Sequence, residues 1–501
     1  MTRTFVSIAA ILFFFKGVAG ALPVFEGGKT TWHGFDRYDF VMDDQTLAIT
    51  PFTAPPGEGD GISDPPQGTH RCVVVVPKEF APGNPWSWRG CYWNHMPQAE
   101  IALLHQGFCI AYISAGANLR PGRQWDAWYG FLTEHGLSPK PVFIGMSRGG
   151  EFSYMWATLH PDKVSGIYVD NPGANWGVMT GIAALATNDV PLLHVCGSLD
   201  PLLGRVTLPI ESMYQQFGGR ISVMIKEGDA HHPHSLPDPK PIVDFIMQSV
   251  YETNSPPPDF AGKRFTRTSF YSNEEFYRYF PSEGKYITCR GPMFTPCYDR
   301  YQFGISNFSG GGLTIIAPRT PAPGNPWVFR SDLVDQNQAV DLALLAKGYY
   351  IVTGPVPYDV GPVPAQWDAA YNYLITYGFS KKPVMEGNGA AAGEAFAWAM
   401  ANPNKVSCIY SENPIMHSNL SKIPLLDSLG ILAKAGIPII DVSGDLDPNF
   451  EDNTLIMEKR YQKLGGSIKV IVESGRGHYP LSPEDPKPVV DFITRANGDG
   501  Y

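Results

Sequence analysis

The chain is predicted to fold as two tandem α/β domains, each a mostly parallel sheet covered by helices on both faces. Three observations carry this expectation: ordered similarity between the halves, apolar strand-like runs alternating with helical spacing, and a proline-rich stretch between the halves. Ala81-Pro82-Gly83-Asn84-Pro85-Trp86 recurs as Ala322-Pro323-Gly324-Asn325-Pro326-Trp327, and Gln124-Trp125-Asp126-Ala127 recurs as Gln366-Trp367-Asp368-Ala369. Further on, Lys163-Val164-Ser165 returns as Lys405-Val406-Ser407, and Asp238-Pro239-Lys240-Pro241 as Asp485-Pro486-Lys487-Pro488. The order is kept throughout, and a period this long repeats a whole domain rather than a solenoid unit. Asn254-Ser255-Pro256-Pro257-Pro258 reads as a stiff linker. The expected segments are a leader at 1–20, a first domain at 21–253, a linker at 254–260 and a second domain at 261–501.

The first half supports its elements in order. Val73 to Val76 is a β-branched run, Ala99 to His105 has helical spacing, and Phe108 to Ile113 is again apolar. Gln124 to Glu134 reads as a helix, Val142 to Ile144 as a strand, Glu151 to Leu159 as a helix and Ile167 to Val169 as a strand. Leu192 to Val195 and Val223 to Ile225 add strands around a helix at Glu211 to Phe217, and Pro241 to Val250 closes the half with a helix. Continuous apolar strands separated by helices predict a parallel sheet buried on both faces. In such sheets ligands gather at the carboxyl ends of the strands.

Composition narrows the function classes. The 501 residues are 44% hydrophobic and 17% charged, with a formal net charge of -10. That balance excludes nucleic acid as the expected partner, because its phosphates call for a basic surface. Arg3, the apolar run Phe5 to Phe15 and the small residues Val18 to Ala21 have the layout of a secretory signal. The run is too short to span a bilayer, and no later stretch is long enough. A secreted or periplasmic product without a membrane span is expected. Of the seven cysteines, Cys72, Cys109, Cys196 and Cys408 read as buried, and Cys289 with Cys297 are the disulfide candidates. Asn307-Phe308-Ser309 and Asn419-Leu420-Ser421 match the glycosylation acceptor pattern.

One strand end reads Gly145-Met146-Ser147-Arg148-Gly149, the G-x-S-x-G pattern between a strand and a helix. Side chains at the two glycines would collide with neighbouring backbone, and the strained serine points its oxygen out of the sheet. Gly197-Ser198-Leu199-Asp200-Pro201 follows the Leu192 strand, and Gly228-Asp229-Ala230-His231-His232-Pro233-His234 follows the Val223 strand. Serine, acid and histidine therefore occur in the chain order of a nucleophile, its orienting carboxylate and its base. Ser147 is the expected nucleophile, His231 the general base and acid, and Asp200 the orienting carboxylate.

Comparison of the halves sets Gly475-Arg476-Gly477-His478-Tyr479-Pro480 on Gly228 to Pro233, so that only His231 has a counterpart. His232 and His234 are candidates for substrate contact, for capping the last helix or for metal binding. A metal set is not visible from spacing, and no cofactor or metal is expected. The oxyanion hole is expected from the backbone N–H of Arg148 and one from the Pro85 to Gly90 loop, with Trp86 as donor and Trp88 as a wall of the acyl pocket or, equally, as core.

Pro85-Trp86-Ser87-Trp88-Arg89, the elbow Gly145 to Gly150 and the histidine loop His231 to His234 resemble secreted bacterial-type α/β-hydrolases over residues 32–250. The resemblance implies the fold and a serine hydrolase, esterase- or peptidase-like. In the second half, Gly387-Asn388-Gly389-Ala390 puts Gly389 at the place of Ser147, while Asp447 and His478 keep the acid and base positions. That half is expected to be a degenerate copy without a nucleophile. The leading expectation is hydrolysis of a small-molecule or polysaccharide-linked carboxylic ester through an acyl-enzyme. An exopeptidase and a non-catalytic binding protein are the alternatives.

Overall fold

The computed structural model describes residues 22–115, 120–251, 264–304, 312–332, 338–354, 364–417 and 424–498. The expected leader, the linker and both glycosylation acceptors lie outside the described residues. The chain divides into two compact units, one of residues 1–254 with 275–290, the other of 255–274 with 291–501.

The first unit opens with strands β1 (Gly28–Trp32), β2 (Phe35–Asp43), β3 (Ile49–Pro51), β4 (Thr69–Val76) and β5 (Trp86–Arg89). Helix α1 (Gln98–His105), strand β6 (Cys109–Ile113), α2 (Arg123–Glu134), β7 (Val142–Met146), α3 (Arg148–Ala157) and β8 (Gly166–Asp170) follow. Then come α4 (Trp176–Thr187), β9 (Leu192–Gly197), α5 (Leu208–Gln216), β10 (Ile221–Lys226) and α6 (Lys240–Tyr251). Strands β6, β5, β7, β8, β9 and β10 lie side by side in parallel, and β4 joins them antiparallel at the β6 edge. Every residue of β6 to β10 is buried, as strands covered on both faces by helices must be.

The next strand, β11 (Phe265–Tyr271), belongs to the second unit, whereas β12 (Phe276–Phe280) and β13 (Lys285–Arg290) return to the first. β13 pairs antiparallel with β10, Val223 facing Arg290 and Lys226 facing Ile287, and β12 pairs with β13. A linear division at 254–260 assigned this hairpin to the second half. A strand pair is recruited by an open edge, whatever its place along the chain.

The second unit continues with β14 (Cys297–Phe303), β15 (Leu313–Ala317), β16 (Trp327–Arg330), α7 (Ala339–Ala346), β17 (Tyr350–Thr353), α8 (Pro364–Thr376) and β18 (Val384–Asn388). It ends with α9 (Ala391–Ala401), β19 (Cys408–Glu412), α10 (Gly430–Lys434), β20 (Ile439–Gly444), α11 (Ile456–Lys463), β21 (Ile468–Glu473) and α12 (Lys487–Ala496). Its sheet runs β11-β14-β15-β17-β16-β18-β19-β20-β21, with β16 to β21 parallel. Both units are thus α/β with parallel-rich sheets.

Two expectations change here. Cys289 and Cys297 are not joined in a disulfide: Cys289 lies in β13 of the first unit and Cys297 in β14 of the second. Trp86 and Trp88 lie within β5 rather than on a loop, both at 0% exposure. The Trp88 ring stacks 4.7 Å from Trp125 and 5.2 Å from Phe143, so it is core rather than an acyl-pocket wall. Such ring pairs add about 0.5–1.5 kcal/mol each beyond area burial.

Candidate active site

The site is built at the carboxyl ends of β7, β9 and β10. Between β7 and α3 the chain turns so tightly that a Cβ at Gly145 would stand 2.5 Å from the carbonyl oxygen of Gly149, and one at Gly90 would stand 2.3 Å from that same oxygen. Only glycine fits these places. Ser147 at the apex holds φ 54° and ψ -120°, a left-handed conformation that costs on the order of 1–3 kcal/mol. Four backbone bonds hold it there: its N–H donates to Asp170 O at 2.9 Å, and its carbonyl accepts from Gly150 N at 3.0 Å, Glu151 N at 3.4 Å and Gly173 N at 2.9 Å.

Asp200 lies in the turn after β9, its side chain 1% exposed. Its Oδ1 accepts from Leu202 N at 2.9 Å, which leaves Oδ2 for His231. His231 Nδ1 donates to that oxygen at 2.8 Å. This bond fixes the tautomer, so Nε2 carries the lone pair and accepts from Ser147 Oγ at 3.0 Å. The three sequence-predicted residues therefore lie in one hydrogen-bonded line.

Two further residues shape the line. Asn171, buried and at φ 43°, donates through Nδ2 to His231 O at 2.8 Å and accepts at Oδ1 from Gly197 N at 2.9 Å. It clamps the histidine loop to the end of β9. Asp170 is fully buried; its Oδ2 accepts from Ser235 N at 2.9 Å and lies 3.8 Å from Lys226 Nζ. Burial pushes its carboxyl up to about 7 against the pull of Lys226. Sequence reasoning missed Asn171, although Asp170-Asn171-Pro172 is echoed by Glu412-Asn413-Pro414.

On the opposite side of the elbow, Arg148 is the first residue of α3, and its N–H has no partner within the helix. Trp86 supplies no second donor: it sits at the amino end of β5, and its Nε1 donates to Ser138 O at 2.7 Å. The loop after β5 approaches the elbow instead, with Cys91 N 3.0 Å from where a Cβ at Gly149 would stand. The N–H of Cys91 makes no hydrogen bond among the described residues. Buried Arg89 shapes this loop: Nε donates to Cys91 O at 2.9 Å, Nη2 to His95 O at 2.5 Å, and Nη1 pairs with Glu100.

Of the remaining histidines of this cluster, His232 is exposed. His234 is 4% exposed and turns inward, with Nδ1 3.0 Å from Nε2 of His95, so it offers no surface to a substrate. Burial and three neighbouring imidazoles lower His234 to about 3, and burial with the nearby Arg89 charge lowers His95. His95 gave no sequence signal, because it lies on a different loop and reaches the histidine cluster only through the order of the sheet.

A serine elbow after one parallel strand, an acid after a second and a histidine after a third form an α/β-hydrolase-type architecture. No protein-family model matches the chain, and no curated protein matches its sequence. Partial similarity is found among solved structures. A Bacteroides ovatus protein described as a dipeptidyl aminopeptidase IV gives a TM-score of 0.31 at 12% identity, covering 41% of this chain and 36% of its own. Est1E from Butyrivibrio proteoclasticus gives 0.30 at 13% identity, covering 38% of this chain and 96% of its own. Dienelactone hydrolase from Anabaena variabilis gives 0.31 at 14% identity, over 40% of this chain and 98% of its own. The match thus spans about a third of the first of these proteins and nearly the whole of the other two.

Proposed function

We propose that the chain is a serine hydrolase that cleaves carboxylic esters through an acyl-enzyme on Ser147. The observation that carries this reading is the 3.0 Å contact of Ser147 Oγ with His231 Nε2, made by a serine held at positive φ. His231 takes the hydroxyl proton as the Oγ–carbon bond forms, and Asp200 stabilises the resulting imidazolium. The N–H groups of Arg148 and Cys91 receive the oxyanion, and each such donor is worth on the order of 10²-fold or more in rate. The imidazolium then protonates the leaving alkoxide. A water that gives its proton to His231 releases the acid and restores the serine.

The amino-terminal apolar run supports export of the mature chain from about Ala21 onward. Among the described residues, no helix is long and apolar enough to cross a membrane. We assign the second unit a non-hydrolytic role, since Gly389 brings no nucleophile to Asp447 and His478. A fluorophosphonate probe tests the central reading: it labels Ser147 in the native chain and leaves the Ser147→Ala variant unlabelled. Failure to label folded protein would refute the reading. Matched alkyl-ester and aminoacyl-amide substrates then divide esterase from peptidase, with turnover expected on the esters.

A further inference from the structure

We propose that His95, His232 and His234 form a binding site for one divalent transition-metal ion of the zinc class, beside the Ser147 line. One nitrogen from each ring lies within 4.8 Å of the other two. The ring centroids stand 4.5 Å apart for His232 and His234, 5.3 Å for His95 and His234, and 6.2 Å for His95 and His232. Zinc bound tetrahedrally at 2.0–2.1 Å holds its nitrogens about 3.4 Å apart. His95 Nε2 and His234 Nδ1, at 3.0 Å, need to part by only a few tenths of an ångström.

The donor set selects the ion. Three imidazoles without a carboxylate suit zinc, nickel or copper and disfavour magnesium and calcium, which take oxygen ligands. His231 is not a ligand, since both its nitrogens are engaged by Asp200 and Ser147. Three protein ligands leave one coordination position open to water or to a substrate oxygen. The ligands come from two loops, the one after β5 and the one that carries His231, so the ion ties together both loops that border the serine. In the second unit Tyr479 and Leu481 take the places of His232 and His234, which restricts the site to the first unit.

Metal uptake by the untagged, chelator-stripped full chain tests this, read by zinc titration calorimetry and by the visible absorption of cobalt. The expected result is one ion per chain, with His95→Ala and His232→Ala each weakening binding by more than about a hundredfold. Zinc should also raise the first unit's melting temperature by roughly 5 °C in the native chain and not in His95→Ala. His232 is exposed, so its variant remains informative if His234→Ala does not fold. The proposal is overturned if the stripped native chain takes up neither metal at micromolar concentration, or if a folded H95A/H232A/H234A variant binds with native affinity. Neither readout involves substrate, so its failure leaves the assignment of Ser147 untouched.

Discussion

Between β7 and α3 of the first unit stands Ser147 at φ 54°, and between β18 and α9 of the second stands Gly389, also at φ 54°. The surroundings correspond bond for bond. Gly389 N donates to Glu412 O at 2.8 Å, as Ser147 N donates to Asp170 O at 2.9 Å. His478 Nδ1 meets Asp447 Oδ2 at 2.9 Å, and Asn413 at φ 40° binds His478 O at 3.1 Å and Gly444 N at 2.9 Å. A Cβ on Gly389 would stand 3.1 Å from His478 Nε2. The backbone and the acid–base pair are the same; what changed is the lining. Where β7 carries Ile144 and Met146, β18 carries Glu386 and Asn388, and Asp332 takes the position of Cys91. Burial holds Glu386 well above the usual carboxylate range, and Arg330 is buried among Asp332, Asp341 and Glu386. A scaffold can keep its turn and its dyad while the strand and loop beside them gain carboxylates.

Four experiments sharpen or break this comparison, from the largest expected effect to the smallest. Ser147→Gly makes the first elbow like the second and should lower kcat by about 10⁴–10⁶-fold with the circular dichroism spectrum unchanged. Residual activity near the native level would move catalysis elsewhere in the chain. The second experiment uses pH. Burial raises Asp170 to about 7 and Glu412 to about 8, above their unfolded values near 3.9 and 4.3. Both folded groups favour the proton, so the stability they add below about pH 4 is lost as pH climbs through 7 and 8, respectively. Burial also lifts Asp341 and Asp441 of the second unit to about 6, which gives that unit the steeper decline. Glu412→Gln should therefore raise its melting temperature at pH 8, by on the order of a few kcal/mol of stability, and change it little at pH 4. An equal change at both values would show that titration is not the cause.

Third, Asn171→Ala and Asn413→Ala each strip a buried clamp from a histidine loop and should each cost about 1–3 kcal/mol by denaturant titration. Activity should fall only with the first. Last, Gly389→Ser in a Ser147→Ala background should be labelled by fluorophosphonate at under about 1% of the native Ser147 rate, because Asp332 and Glu386 stand where the first unit has Cys91 and Ile144. Labelling at the native rate would mean the carboxylate lining does not matter.

The alternation of elements and the chain order of Ser147, Asp200 and His231 were legible, because each residue follows its own apolar strand and parallel topology brings strand ends together. The residues that support the line were not. Trp86 and Trp88 read as loop because Pro85 precedes a strand of only four residues, yet both are core. Cys91 nears the elbow and His95 the histidine loop because β5 lies between β6 and β7, an order that periodicity does not encode. The hairpin of β12 and β13 was invisible for a similar reason: edge pairing is a property of the finished sheet.

That hairpin bears on where the chain can be cut. A polypeptide stopped at residue 253 would keep Ser147, Asp200 and His231 but bare the flank of β10, whose six residues are all buried in the whole protein. It would also lose Lys285, paired with Asp229 two residues before His231, and Arg290, bound to Glu211 of α5 at 2.6 Å. Such a fragment would carry all three residues of the line and still self-associate through its naked amides, so the smallest piece that keeps the sheet intact is longer than the repeat suggests.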